Sequence, residues 1–207
     1  MSHCPPEEWL FDVATGADAS SVAFLVACHL ELCPACTRTV RELRISGGEL
    51  LAALQDGPTE LQDVERALMG RLDGAPTAPV DVPFDPVFPR PVTAWLGPSA
   101  TAPWRRIVPG IQRIDLDRGS RTFLLCFAPG VRPPAHRHVG LERTLVLDGG
   151  YRDFRHGEFR RGFVQIVGDE VHEQVMDDDG CIALFVNDGP LIPTTWLGRV
   201  ASWFVET

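Results

Sequence analysis

Nine of the chain's eighteen prolines fall between residues 73 and 109, in a stretch that opens "DGAPTAPVDVPFDPVFPRP". Proline fixes φ and has no amide proton to donate, so such a run cannot form a helix interior or a central strand. The expected state is extended, partly polyproline chain leading into edge strands. A barrier of this kind divides the molecule, and the hydrophobic pattern differs on its two sides.

The first side has helical periodicity. "EEWLFDVATG" (7–16) carries a short apolar face and stops at a glycine. Asp18 or Ser20 can cap a second helix, along which Val22, Leu25, Val26 and His29 recur. Pro34 cannot continue that helix but suits the first turn of another, so Cys33 is predicted at a helix–helix junction. A third helix is predicted from Ala35 toward Leu54, interrupted at Ser46-Gly47-Gly48. A fourth is predicted over 59–72, with Leu61, Val64, Leu68 and Leu72 in one stripe. The second side reads as short β runs between Gly, Pro and Asp turns: "RTFLLCFAPG", "ERTLVLDGGY", "FVQIVGDE", "CIALFVND" and "SWFVE". The expectation is an α+β chain of two domains. A helical bundle occupies 1–73, a Pro-rich linker 74–92, and an all-β sandwich or barrel 93–207.

Each side carries one constellation of metal-ligating residues. In "HLELCPAC" (29–36), His29, Cys33 and Cys36 straddle the Pro34 turn, which lets three donors converge. Imidazole and thiolate suit zinc, which needs a fourth ligand for a closed tetrahedral site. "SHC" at the N-terminus offers His3 or Cys4. A bare C-x2-C also occurs in thioredoxin-like redox pairs, but no βαβ pattern surrounds this one. Cys28 points elsewhere on its helix and is expected in the core, as are Cys126 and Cys181 in their apolar strands.

In the β half, "GVRPPAHRHVGLERTLVLDGG" (130–150) places His136 and His138 two apart, hence on one face of a strand, with Glu142 after a short excursion. His172 in "GDEVHEQV" supplies a fourth donor. Three imidazoles and a carboxylate suit zinc, iron, manganese or nickel. His156 in "FRHGEF" is expected at a hairpin turn on the surface.

Composition limits the partners. Acidic residues outnumber basic ones 28 to 19, for a net charge of −9, which argues against direct nucleic-acid binding. No run approaches the roughly 20 apolar residues that span a bilayer. "MSHCPPEEWL" lacks the basic and apolar regions of a signal peptide, so a cytoplasmic location with reduced thiols is expected.

An early His or Cys, a gap of about 25 residues and then H-x3-C-x2-C in a small helical unit resembles the zinc-binding anti-sigma family. The stop at "ATG", the helix running into "HLELCPAC" and the later "GG" are similar to its ChrR-type members. Aligning Gly16 and His29 puts Cys4 where the family usually has its first histidine, with His3 one residue earlier as the alternative. The pattern over 130–149 resembles the first cupin motif in every element. The second motif is half present: Gly168 and His172 remain, its proline is absent, and Met176 stands where many members have asparagine.

The resemblance implies a zinc-binding anti-sigma bundle followed by a cupin β-barrel of jelly-roll form, with structural zinc in the first and zinc or another divalent metal in the second. It also implies a regulator that sequesters an extracytoplasmic-function sigma factor and releases it under singlet-oxygen or peroxide stress. The alternative is a metal-dependent cupin dioxygenase or isomerase with an appended zinc domain. Such an enzyme needs an acid, a base and orienting groups; Arg143, Tyr151 and Gln165 are candidates that nothing in the sequence singles out.

Overall fold

A computed structural model describes residues 3–53, 66, 69–70, 82–117 and 121–194. Helix α1 spans Glu7–Thr15 and ends on Gly16, whose φ of 70° closes the turn in the left-handed region that glycine tolerates. Helix α2 spans Ser21–Leu32. Its cap is Ser20, whose hydroxyl accepts the Val22 amide, while Asp18 in turn holds the Ser20 amide and hydroxyl. Cys33 is extended, and α3 begins at Pro34 and runs to Ala53.

The expected break at Ser46-Gly47-Gly48 is absent: α3 passes through it without interruption. Two exposed glycines each cost a helix about 1 kcal/mol relative to alanine, which weakens the helix without stopping it when no proline follows. The helix expected over 59–72 lies outside the described residues, apart from Arg66, Met69 and Gly70, which are helical. The "SWFVE" strand also lies outside them.

Part of the expected extended linker is also ordered differently. Helix α4 spans Arg90–Leu96, with Pro91 in its first turn where the missing amide costs nothing. Phe88 and Val92, exposed by 2% and 0%, enter the core. Asp85 organises this entry. One carboxylate oxygen accepts the amides of Val87 and Phe88, and the other accepts the amide and hydroxyl of Ser99.

The β strands are β1 Arg105–Val108, β2 Ile111–Asp117, β3 Thr122–Phe127, β4 His136–His138, β5 Glu142–Asp153, β6 Gly157–Arg160, β7 Val164–Val167, β8 Gln174–Asn187 and β9 Leu191–Pro193. Seven form an antiparallel sheet in the order β1-β2-β3-β8-β5-β6, with β7 also paired to β5. β4 and β9 make a separate two-stranded sheet, and His136 bridges it to His172. The cupin-like β-sandwich is therefore not the closed barrel expected. Pro133, Pro134, Pro190 and Pro193 crowd the ends of β4 and β9 and supply no amides to extend that ladder.

The two faces of the large sheet do different work. Leu145 and Leu147 of β5, with Leu184 and Val186 of β8, pack in one cluster with Leu25 and Cys28 of α2 and with Phe88 and Val92. Val146, Ala183 and Phe185 face the other way, with Phe123, Tyr151 and Met176. A register shift between Val146 and Asp148 and another between Gly149 and Tyr151 reverse this alternation along β5. Glu142, Thr144 and Val146 face inward before the shifts; Tyr151 and Asp153 face inward after them. Gly149 is required here: its φ is 63°, and a Cβ would collide with the Gly180 carbonyl oxygen.

Two candidate metal centres

The first centre forms where three helical termini meet. Cys4 precedes α1, His29 lies in the last turn of α2, Cys33 is the junction residue, and Cys36 is in the first turn of α3. One donor atom from each lies within 4.8 Å of all the others. The Cys4 and Cys33 sulfurs are 4.0 Å apart, close to the roughly 3.8 Å edge of a tetrahedron with 2.3 Å metal–sulfur bonds. Of the two N-terminal candidates, Cys4 is in this cluster and His3 is not. The His3 ring instead stacks on Phe163, with centroids 4.2 Å apart.

Electrostatics divides the thiols. Burial raises the Cys33 pKa, but amides of Cys36 and Ala35 at the start of α3 and the neighbouring thiols lower it further, so the net shift is downward. Cys36 is pushed up to about 12, first by burial and then by the two sulfurs beside it. His29 is exposed by 1% and burial lowers its pKa, which keeps the imidazole neutral. Its Nδ1 lies 2.8 Å from the Gly162 carbonyl oxygen, and its buried Nε2 has no hydrogen-bond partner. A neutral imidazole with one nitrogen anchored and the other a bare donor among three sulfurs fits a bound cation.

The second centre lies on the inner face of the sandwich. His136 and His138 come from β4, Glu142 from the start of β5, and His172 from the loop before β8; all are exposed by 6% or less. Their donor atoms also converge within 4.8 Å. The Nε2 atoms of His138 and His172 are 3.1 Å apart, and His138 Nε2 is 3.4 Å from Glu142 Oε2. Burial and the neighbouring imidazoles lower His136 to about 4 and His138 to about 3, while burial raises Glu142 to about 7. Three imidazoles and a buried carboxyl converging on one point suit a cation.

Hydrogen bonds fix the orientation of these rings. His136 Nδ1 is 2.7 Å from the Pro134 carbonyl, and His172 Nδ1 donates to Asp153 Oδ2 at 2.9 Å. Asp153 is buried. Burial opposes its ionisation, but donors from His172, Gln165 and the Arg155 and His156 amides outweigh that and hold it well below the usual carboxylate range. Gln165 donates to Asp153 and accepts from the Tyr151 hydroxyl at 2.5 Å.

Four expectations change at this point. Gln165 and Tyr151 orient Asp153, which holds the His172 ring, and no substrate role is needed to account for them. Arg143 is buried on the opposite, helix-covered face of the sheet, paired with Asp188 and with its guanidinium 5.5 Å from the centre of the Trp9 ring. His156 sits at the hairpin turn as expected, but it is half-buried between Asp153 and Glu170. Cys28 and Cys181 are buried, whereas Cys126 is partly exposed. Asp153 escaped the sequence reading because only the reversed alternation of β5 turns it inward.

The chain is 30% identical to anti-sigma-E factor ChrR of Cereibacter sphaeroides over 211 residues, which is 99% of this chain and 98% of that protein. The chain belongs to the ChrR anti-sigma factor family. A chain in the crystal structure of Rhodobacter sphaeroides SigE in complex with the anti-sigma ChrR matches with a TM-score of 0.70 and 28% identity. That match covers 91% of this chain and 100% of the other. Residues 94–192 also match the family of the ChrR cupin-like domain. Membership in the ChrR family favours a regulator over an enzyme. No helix among the described residues is long and apolar enough to cross a membrane.

Proposed function

We propose that this chain is a cytoplasmic anti-sigma factor that sequesters an extracytoplasmic-function sigma factor and releases it under singlet-oxygen or peroxide stress. The observation that carries the reading is the end-to-end correspondence with ChrR. In this reading residues 1–73 bind the sigma factor and 93–207 form the cupin domain that the stress response requires. Zinc is held by Cys4, His29, Cys33 and Cys36, and zinc or another divalent metal by His136, His138, Glu142 and His172.

The helical unit has the properties this role needs. Among the described residues its own buried apolar cluster is small, formed by Leu10, Val26, Cys36 and Val40. A structural metal contributes folding free energy on the order of 10 kcal/mol, which such a unit cannot otherwise gather. The distal half of α3 exposes Ile45, Leu50 and Leu51 by 51%, 69% and 69%. Beside it runs a groove lined by Leu30, Val40 and Ile45 with Arg41 and Arg44. An apolar helix face of this kind suits a helical partner. Oxidising two of the thiolates to a disulfide would remove two metal ligands, loosen the unit and free the partner.

The test is co-expression of the full chain with the sigma factor encoded beside it. A stoichiometric complex is expected, weakened at least about tenfold by Leu50→Asp together with Leu51→Asp and abolished by Cys33→Ser. Metal-loaded, folded protein that never co-elutes with that sigma factor would overturn the reading.

A further inference from the structure

Four consecutive residues, Gly162 to Gln165, touch the support of both centres. The Gly162 carbonyl accepts His29 Nδ1. The Val164 amide donates to the His3 carbonyl at 2.8 Å, one residue before Cys4, and Phe163 provides the surface on which His3 stacks. Gln165, on the opposite face, holds Asp153, which holds His172. The segment is tightly constrained. Gly162 donates to the Val146 carbonyl, Phe163 accepts the Val146 amide, and β7 is in register with β5 so that Val164 faces Leu145 and Gln165 faces Thr144. Gly162 has a φ of 84°, and a Cβ there would lie 3.4 Å from Leu32 at the end of α2.

We propose that the Gly162–Gln165 segment couples the two centres, so that the cupin centre's loss of its metal speeds metal loss from the cysteine centre. The physical basis is that a ligand's hydrogen-bond partner sets its orientation and basicity, and such partners typically change metal affinity 10- to 100-fold. Here the partner of His29 belongs to the β half. When the His172–Asp153–Gln165 chain relaxes, β7 loses a side-chain anchor. The Gly162 carbonyl and the Val164 amide then hold His29 and the Cys4 arm less firmly. Coupling of this kind is reciprocal, so filling either centre must favour filling the other. The proposal rests on the metal-centre reading above and makes the segment the route by which the cupin half addresses the sigma-binding half.

The test uses the full chain loaded with cobalt(II) and no sigma factor, so that its failure is distinct from a failure to bind sigma. Only the cysteine centre gives thiolate-to-cobalt charge-transfer absorption, and its decay under excess chelator reports that centre alone. His136→Ala, which empties the cupin centre without touching the segment, is expected to speed the decay at least fivefold. Gln165→Leu is expected to speed it severalfold while cobalt is still bound at the cupin centre. A second readout covers variants that fold poorly: in the unmodified chain carrying cadmium-113 at the cysteine centre, the NMR resonance of that ion is expected to move when the cupin centre is emptied. Decay rates within twofold of the unmodified chain, or an unmoved resonance, would overturn the proposal.

Discussion

The two centres differ in what holds their donors in place. At the cysteine centre the donors sit on helix termini and a bare junction residue, around a small cluster that, among the described residues, has Leu10, Val26, Cys36 and Val40 at its centre. At the cupin centre they hang from β4, β5 and the loop before β8, in a sandwich whose inner face already buries Phe123, Val146, Tyr151, Met176 and Phe185. The first set is rich in sulfur and partly exposed; the second is free of sulfur and fully buried. The difference sets a site whose metal would make structure against a structure that would hold a metal. It also explains how one chain can pair an oxidisable, collapsible unit with a rigid one.

The largest effect should come from removing the metal that makes structure. Cys36→Ser is expected to abolish binding at the cysteine centre and, with free energy on the order of 10 kcal/mol at stake, to unfold α1–α3. Circular dichroism should show the loss of helix while the near-ultraviolet signal of the β half persists. If the helices survived without metal, the contrast between the centres would be gone.

An intermediate effect is expected at the seam. Phe88 lies between α2 and the outer face of the sheet, and Phe88→Ala should cost about 3–5 kcal/mol, read as a lower denaturation midpoint. A separate, earlier transition of the helical unit would sharpen the comparison by showing that the seam also stabilises that unit.

The smallest effect is a pH dependence near the same seam. Burial raises the Asp85 pKa, but its four hydrogen-bond donors lower it further, so the folded value is below the unfolded one of about 3.9. Its contribution is present above that unfolded value and is lost as pH falls through the folded one. Asp85→Asn should remove that part of the acid sensitivity and lower stability at pH 7 by about 2 kcal/mol. Equal acid titration curves for the two proteins would contradict this account.

Legibility in the sequence followed distance along the chain. His29, Cys33 and Cys36 lie within eight residues, so helical spacing and one proline were enough to bring them to notice. His136, His138 and Glu142 were visible for the same reason. The choice between His3 and Cys4 rested on register alone, because the sequence does not show that His3 stacks on Phe163. Phe88 and Val92 were hidden by the prolines around them, which mark where a helix cannot pass and say nothing of what a short helix can bury. The interruption expected at Gly47-Gly48 overvalued a modest propensity. Asp153 required knowledge of which way β5 faces after its glycines, and that is a tertiary fact.

The register shifts in β5 also have a consequence for how this chain tolerates change. Deleting one residue between Val146 and Gly149 would leave the composition and every predicted strand almost intact. It would turn Tyr151 and Asp153 to the outside, setting Arg152 in the place of Tyr151 and Phe154 in the place of Asp153 beside His172. A substitution there alters one side chain, whereas a deletion readdresses all those that follow. Variation among natural relatives should therefore be generous in residue type along this stretch and intolerant of any difference in length.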